Sequence, residues 1–328
     1  MNKPYNIAVV ISTYNGSAYI KEQIDSIIKS VEYAERSLKY VIVVRDDGSS
    51  DNTIEILKEF QNEGLPIELI IDGQTLGFKE SFHKLLQYVN GRSDYIFLSD
   101  QDDIWKIEKV TRFVETFKRS KETQPFAVYS DLEMFGDDLS SSISMSEYSH
   151  FDHKKDSYQY WMLTNNVTGA ALAINSSAVE IICKLTDEVW RTEKYHDWLI
   201  IRTISAIGGW QYIDQTLTQY RQHQSNASHK FQRKRVLFKD IRPIYYRIKH
   251  YYWDSIVANA ILIEELRRVP SLEVKQIALQ LDNELNIVLH SKRLARLKYI
   301  STLSRFVYSD RVSITRKKLE LIISLLVN

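Results

Sequence analysis

The sequence contains few of the features that disulfide-linked or membrane-spanning proteins need. Cys183 is its only cysteine, so no disulfide can form within the chain, as is typical of proteins from a reducing compartment. It has no run of about eighteen apolar residues, and its first apolar run, Ile7 to Ile11, is too short for the apolar part of a signal peptide. We therefore expect a cytoplasmic protein.

The sequence also has almost no net charge. Its 43 lysines and arginines balance 42 aspartates and glutamates, which leaves a formal charge of +1. The chain as a whole therefore does not favour nucleic acid as a partner. Apolar residues make up 44% and charged residues 26% of the 328 positions, which indicates a folded chain with one large core or two smaller ones.

Four short apolar stretches alternate with segments whose apolar residues recur at helical spacing. The predicted strands are Ile7–Ile11, Val41–Val44, Leu65–Ile71 and Tyr95–Leu98, and one predicted helix covers Phe78 to Val89. This alternation predicts an α/β fold with a mostly parallel, Rossmann-like sheet flanked by helices. No Gly-rich dinucleotide fingerprint and no Walker-type Gly-Lys-Ser/Thr follows any of the strands, which argues against a dehydrogenase.

Polar residues follow three of these strands, in the segments Ser12–Asn15, Asp46–Ser49 and Asp100–Asp103. Ligands of open α/β sheets bind beyond the carboxyl ends of the strands, so these segments mark the expected site. The three aspartates of the last segment repel one another unless they hold a cation, and oxygen ligands suit Mg²⁺ or Mn²⁺. Because the site lacks a Gly-rich loop to bind phosphates, an ion that also binds a diphosphate would supply the positive charge. This combination favours a nucleotide-sugar site over a dehydrogenase. The alternative is an exposed acidic turn that caps the next helix.

Four motifs together resemble one enzyme family. Ser12–Gly16, Asp46–Asp51, Asp100–Trp105 and Tyr220–His223 look like the motifs of glycosyltransferase family 2, which has the fold called GT-A. The similarity covers roughly residues 6–228, and the last two motifs are most similar to bacterial rhamnosyltransferases that build cell-wall and capsular rhamnan. Each motif alone is weak, whereas four in the family's order and spacing are a strong signal.

The resemblance implies a role for each motif. Asp47 would contact the nucleotide base, and Asp102 with Asp103 would hold a Mn²⁺ or Mg²⁺ ion under the diphosphate. Arg221 and His223 would lie on a loop that closes over the diphosphate. Of the two, His223 is the stronger candidate for direct contact with the ligand. The other donor contacts that it implies are Thr13, Tyr14, Asn15 and Asp100.

A second chemical focus is Tyr195–Trp198. Apolar residues at helical spacing follow it, so Asp197 is expected near a helix start, where a carboxylate is stabilised as the anion. The resemblance makes Asp197 the catalytic base of an inverting reaction, and the alternative is a plain helix cap. The resemblance also places Thr164–Gly169 under the acceptor, with Gly169 allowing a sugar to approach; the alternative is a tight turn that needs glycine.

The last quarter of the chain differs in composition. We expect a glycosyltransferase domain over residues 1–228 and a basic, aromatic helical region over residues 229–328, with Pro270 between two helices. The basic stretches Lys230–Arg235 and Lys292–Tyr299 favour attachment to a membrane surface. The alternative is a solvated helical region that packs on the core or forms a homodimer. A polar loop is predicted over Asp137 to Asp156.

The sequence therefore predicts an inverting glycosyltransferase at the inner face of the plasma membrane. Its donor would be dTDP-rhamnose, its acceptor a polyprenyl-linked cell-wall or capsular glycan, and its partners would include no nucleic acid. A transferase that uses a UDP-hexose and a non-catalytic module that binds glycans or nucleotide sugars are the alternatives. A helical scaffold formed by the last quarter is compatible with any of these.

Overall fold

The structure is a computed structural model that describes most of the chain. Described are residues 3, 5–34, 37–136, 141–223, 241–270, 272–299, 303, 321–322 and 324–325, with the backbone alone given for 241–251, 293, 294 and 297. The strands are β1 Tyr5–Thr13, β2 Tyr40–Asp46, β3 Ile67–Ile70, β4 Ser93–Ser99, β5 Ile104–Trp105, β6 Phe126–Gly136, β7 Ile143–Ser144, β8 Leu172–Asn175 and β9 Gly209–Gln222. The helices are α1 Ile20–Ala34, α2 Thr53–Asn62, α3 Phe78–Val89, α4 Lys109–Phe117, α5 Met145–Ser149, α6 Tyr158–Leu163, α7 Ser176–Ile182, α8 Asp187–Thr192, α9 His196–Ile207, α10 Ile241–Arg268 and α11 Gln276–His290.

One half of the sheet is parallel and brings the predicted motifs to a single edge. The strand order is β3-β2-β1-β4-β8-β6-β9-β5, with β7 paired to β6. The pairs that β1, β2, β3 and β4 form with one another are all parallel. Thr13 lies opposite Asp46 across β1 and β2, and Ile11 lies opposite Ser99 across β1 and β4. The three polar segments therefore emerge side by side, as the sequence predicted.

The other half of the sheet is mixed. β8 runs antiparallel to both β4 and β6, β9 is parallel to β6, and β5 is antiparallel to β9. The α/β fold is confirmed, and the parallel pairing predicted for the sheet describes the half from β1 to β4. β8 reverses direction because the chain enters it from the carboxyl edge, through a 3₁₀ turn at Gly169–Ala171.

Apolar side chains cover both faces of the central strands. Along β1, Val10 belongs to the apolar cluster on one face and Val9 to the cluster on the other, and both are fully buried. This arrangement explains why the strand is a continuous run of apolar residues rather than an alternating one. The helix predicted over Phe78 to Val89 is α3, with the same bounds, whereas the third strand is shorter than predicted and spans Ile67–Ile70.

The described C-terminal helices pack into the same core as the rest of the chain. Ile256 of α10 and Leu285 of α11 are fully buried in the apolar cluster that also contains Ile200 of α9. The Tyr158 hydroxyl donates to Asn259 Oδ1 at 2.7 Å, which joins α6 to α10. The helical region predicted after residue 228 thus shares its apolar core with the first 228 residues.

Of the two basic stretches predicted to contact a membrane, the structure describes the second, Lys292–Tyr299. Lys230–Arg235 lies outside the described residues. Arg296 in the second basic stretch is buried, its guanidinium lies 4.2 Å from the centre of the Trp253 ring, and its Nη1 donates to the Leu325 carbonyl at 3.3 Å. Among the described residues, no helix combines the length and the apolar character that crossing a bilayer requires.

The predicted polar loop over residues 137–156 contains regular structure. Residues 141–156 of it are described, and they include β7, α5 and a 3₁₀ turn at His153–Lys155. Ser144 begins α5 by accepting a hydrogen bond from the Glu147 amide, and the buried Asp156 carboxylate accepts from Asn166 Nδ2 at 2.7 Å. Side-chain caps and buried polar contacts of this kind order a segment whose composition alone indicates a loop.

Candidate active site

The segment after β1 is tied to its two neighbours along the sheet edge. Gln101 Oε1 accepts from Thr13 Oγ1 at 2.7 Å and from the Tyr14 amide at 2.9 Å. Asn15 has a left-handed backbone conformation, and its side-chain oxygen accepts from the Ser50 amide at 2.8 Å. Tyr14 is 53% exposed, so its side chain extends from an otherwise interlocked edge.

Asp47 is held from several sides. Its carboxylate is nearly buried and accepts from Arg45 at 2.6 Å, from the amides of Leu76 and Gly77 at 2.7 and 2.8 Å, and from Ser81 at 3.2 Å. Burial raises the pKa of Asp47, but these hydrogen bonds outweigh burial and leave the pKa below its usual value. The group is therefore a fixed carboxylate that anchors the start of α3 to the end of β2.

The aspartates after β4 form a compact acidic cluster. Burial, followed by the charges of Asp102 and Asp197, raises the pKa of Asp100 to about 7. Burial also raises the pKa of Asp103 well above its usual value, with further contributions from Asp102 and Asp100. Like charges in a desolvated site favour protonation of some of its members. The structure thus brings Asp197 close to the acids that follow β4.

Lys109 is a member of this cluster that the sequence analysis did not identify. It is fully buried in the first turn of α4 and donates to the Ala170 carbonyl at 2.7 Å and to Thr218 Oγ1 at 2.8 Å. Its Nζ lies 3.9 Å from the centre of the Trp105 ring, and burial lowers its pKa to about 7. Within α4, Lys109, Phe113 and Phe117 are four residues apart each time and all three are buried, so this spacing is the signal that places the lysine on the buried face of the helix.

β9 carries Arg221 and His223 to the acidic cluster. The Arg221 amide donates to Asp103 Oδ1 at 3.0 Å, its Nε to the Asp102 carbonyl at 2.8 Å, and its Nη2 to Glu22 Oε2 at 2.6 Å. His223 Nε2 lies 2.8 Å from Asp102 Oδ2. The prediction that Tyr220–His223 form a loop is wrong for its first three residues, because strand pairing with β6 continues as far as Gln222.

A glycine at the end of β6 allows the last residues of β9 to pack closely against β6. Gly136 has a φ of +131° and faces Gln222, the last residue of β9. A Cβ at position 136 would lie 2.2 Å from the Gln222 carbonyl oxygen, far inside any normal contact distance. Only glycine combines this backbone conformation with such close packing.

Asp102 and His223 are the described residues that best fit a divalent ion. A carboxylate oxygen and an imidazole nitrogen 2.8 Å apart suit an ion such as Mn²⁺ that completes its shell with phosphate oxygens. Asp103 Oδ2 is buried and has no hydrogen-bond partner among the described residues, but its other oxygen is held by Arg221. No group of three His, Cys, Asp or Glu side chains in the described chain forms a complete ion cage.

Asp197 lies in the first turn of α9, as predicted. Its carboxylate accepts hydrogen bonds from the backbone amides of Trp198 at 2.6 Å and Gly169 at 3.1 Å, and from Asn165 Nδ2 at 3.1 Å. Burial outweighs these hydrogen bonds and raises the pKa of Asp197 to about 6. A carboxyl group with such a pKa is ionised near neutral pH and is basic enough to accept a proton.

His196 packs beneath the candidate base. Its ring stacks on Phe82 with centroids 3.9 Å apart, and neither ring nitrogen has a hydrogen-bond partner among the described residues. Burial lowers the pKa of His196 to about 3, so the ring is neutral. A Cβ at Gly169 would lie 2.8 Å from His196 Nε2, so this glycine is needed for close packing of the histidine.

Two proteins of known sequence are similar to this chain over about two thirds of its length. The dTDP-rhamnosyl transferase RfbG of Shigella flexneri is 28% identical over 226 residues, which are 66% of this chain and 72% of that protein. An uncharacterised glycosyltransferase of Nostoc, alr2836, is 25% identical over 67% of this chain and 66% of its own length.

Solved structures share the fold. TarS of S. aureus (residues 1–349, in complex with UDP) has a TM-score of 0.54 and 12% identity over 98% of this chain and 89% of that one. The mannosyltransferase PcManGT of Pyrobaculum calidifontis, in complex with GDP-Man and Mn²⁺, has a TM-score of 0.50 and 14% identity over 100% and 87% of the two chains. Both likenesses concern the GT-A fold.

A family model for sequences matches residues 8–180, more than half of the chain. This region holds most of β1, the two aspartate-rich segments and the glycine that faces His196. The chain belongs to glycosyl transferase family 2.

Proposed function

We propose that this protein is an inverting glycosyltransferase that transfers rhamnose from dTDP-rhamnose to a lipid-linked cell-wall or capsular glycan. The observation that carries the proposal is the grouping of Asp197, a half-buried carboxyl with a raised pKa, with the acids after β4. The similarity to a dTDP-rhamnosyl transferase supports rhamnose as the sugar. The lipid-linked acceptor and contact with a membrane are parts of the proposal that stem from the sequence alone.

Asp197 acts as the base in this mechanism. Its carboxylate takes the proton from an acceptor hydroxyl as that oxygen attacks the anomeric carbon of the donor. The bond between this carbon and the phosphate oxygen breaks, the nucleoside diphosphate leaves with the electron pair, and the configuration at the carbon is inverted. The amides that hold Asp197 keep the carboxylate oriented toward the attacking group.

The donor lies along the polar edge of the sheet in this proposal. Asp47, Tyr14 and Thr13 line the nucleotide, and the diphosphate lies near Asp102 and His223. A Mn²⁺ or Mg²⁺ ion held by Asp102 and His223 would stabilise the charge of the leaving diphosphate. Arg221 keeps the Asp102–Asp103 segment in place through its contacts with backbone and carboxylate.

Donor turnover tests the proposed reaction. Release of dTDP from dTDP-rhamnose, with MnCl₂ present, is measured for the wild type and for Asp197→Asn. We expect the substitution to lower turnover by about 10²- to 10⁴-fold, because the amide cannot accept the proton, and to leave donor affinity unchanged. Tight donor binding without turnover by the wild type would instead indicate a non-catalytic module.

A thermal-shift panel tests the donor. dTDP-rhamnose, UDP-glucose and UDP-galactose are compared with and without MnCl₂, because a ligand that binds the folded state raises its melting temperature. A rise with dTDP-rhamnose alone supports the proposal. A rise with a UDP-hexose alone would replace rhamnose by that hexose and leave the transferase assignment intact.

A further inference from the structure

We infer that Phe78 and Tyr195 form a stacking surface for a pyranose ring of the acceptor, beside the candidate base. This inference rests on the proposed function and adds the acceptor's binding site to it. Phe78, the first residue of α3, is 43% exposed although it is a large apolar side chain. The Tyr195 ring lies 6.2 Å from the Phe78 ring, centroid to centroid, at an interplanar angle of 22°.

The pair lies next to the reacting group. Tyr195 immediately precedes α9, and Asp197 follows it by two residues. The Phe78 ring also meets the His196 ring edge-on, with centroids 6.0 Å apart. A sugar whose hydroxyl reaches Asp197 therefore has this aromatic pair as a neighbouring surface.

The surface is fixed before any ligand binds. The His196 ring that Phe78 contacts is itself stacked on the buried Phe82 of α3. On the other side, the amide of Gly77, the residue before Phe78, donates to Asp47 at 2.8 Å. Phe78 is thus held between the segment that follows β2 and the start of α9, and a rigid aromatic surface costs little ordering when a ligand binds.

The chemistry of the pair favours a sugar ring. The C–H groups on one face of a pyranose are apolar and pack against aromatic rings, whereas its hydroxyl groups need polar partners. Asp197 and Asn165 supply polar atoms close to the pair, and their side chains are hydrogen-bonded to each other at 3.1 Å. An apolar surface with polar groups at its border is the arrangement that carbohydrate binding needs.

Saturation-transfer NMR with methyl α-L-rhamnopyranoside and methyl β-D-glucopyranoside tests the surface without any donor. For the wild type we expect saturation of the ring C–H protons of at least one glycoside. Phe78→Ala and Phe78→Leu should weaken that binding by about three- to tenfold, and Phe78→Trp should keep it. The leucine variant retains the apolar contacts of the side chain, so it separates loss of the aromatic ring from loss of packing.

Tyr88→Ala is the matched control. Tyr88 lies on the same helix and is 42% exposed, close to the value for Phe78, but it sits in the last turn of α3. We expect it to bind the glycoside as the wild type does. Equal binding by Phe78→Ala and the wild type, or no binding of either glycoside by the wild type, would overturn the inference. Binding that depends on Phe78 in a protein that turns over no donor would instead refute the proposed function alone.

Discussion

Gly169→Ala is expected to impair the candidate base without removing any of its atoms. The new Cβ would lie 2.8 Å from His196 Nε2 and 3.8 Å from Asp197 Cβ. Carbon atoms in ordinary contact are about 3.5–4.0 Å from their neighbours, so the histidine has to retreat by roughly 0.7 Å or more. It cannot do so freely, because its ring is stacked on the buried Phe82 ring with the centroids 3.9 Å apart. The displacement is therefore passed to the start of α9, where Asp197 lies.

Two magnitudes follow from this geometry. Overpacking of a well-filled site costs about 1–3 kcal/mol, which corresponds to a fall in melting temperature of about 1.5–4.5 °C for a protein of this size. Displacement of a catalytic group by about 1 Å lowers turnover by about 10²-fold. Thermal unfolding and donor turnover under saturating donor measure the two effects separately.

Gly209→Ala provides the control. A Cβ at Gly209 would lie 2.8 Å from the Phe126 ring, the same distance as in the first variant, but Gly209 begins β9 at the opposite end of that strand from His223. We expect a comparable loss of stability with turnover close to that of the wild type. If Gly169→Ala and Gly209→Ala lose the same stability and both keep full turnover, the argument that Gly169 positions the base is refuted.

Further predictions concern the base, the ion, a buried charge pair and the C-terminal region. Because burial raises the pKa of Asp197 to about 6, kcat/KM should fall by about tenfold per pH unit below that value, and a profile that stays flat down to pH 4.5 would contradict this role. Asp102→Asn should raise the Mn²⁺ concentration that supports half-maximal turnover by at least ~10-fold, which a metal titration measures against an unchanged circular dichroism spectrum. Arg202→Met leaves the buried Glu193 carboxylate without its partner at 2.5 Å and should lower the free energy of unfolding by about 3–5 kcal/mol, whereas the added Glu193→Gln should restore part of it in denaturant titrations. A chain that ends at Ser228 should be recovered largely insoluble, because it exposes the apolar face that α10 and α11 cover; a soluble chain with a cooperative melt would contradict that expectation.

Much of the first half of the fold could be predicted from local sequence. β1, β2 and β4 are uninterrupted apolar runs because both of their faces are buried, and α3 has regular helical spacing that gives its bounds directly. The segment over residues 141–156 could not be predicted in the same way. Its order depends on contacts such as that between Asp156 and Asn166, which composition does not reveal.

The candidate site was predictable as a set of segments, whereas its geometry was not. The positions of Asp102 and Asp197 follow from motif and helix patterns, but the partners of each side chain depend on strand pairing across the sheet. Lys109 was missed because a lysine is expected on the surface, and its burial depends on partners from two distant segments, Ala170 and Thr218. The resemblance makes Arg221 a donor contact, which stays a prediction; what the sequence does not reveal is that its guanidinium donates to Glu22 and to the Asp102 carbonyl.

Gly136, at the end of β6, affects the candidate metal site although it contributes no atom to it. Gly136 lets β9 run flush alongside β6 for its last residues, and this shared ending determines how far His223 reaches toward Asp102. A side chain at position 136 would push the end of β9 away from β6, and the His223 imidazole, one residue beyond Gln222, would be displaced with it. The spacing between the two side chains that suit a metal is thus determined at a position that is itself chemically inert.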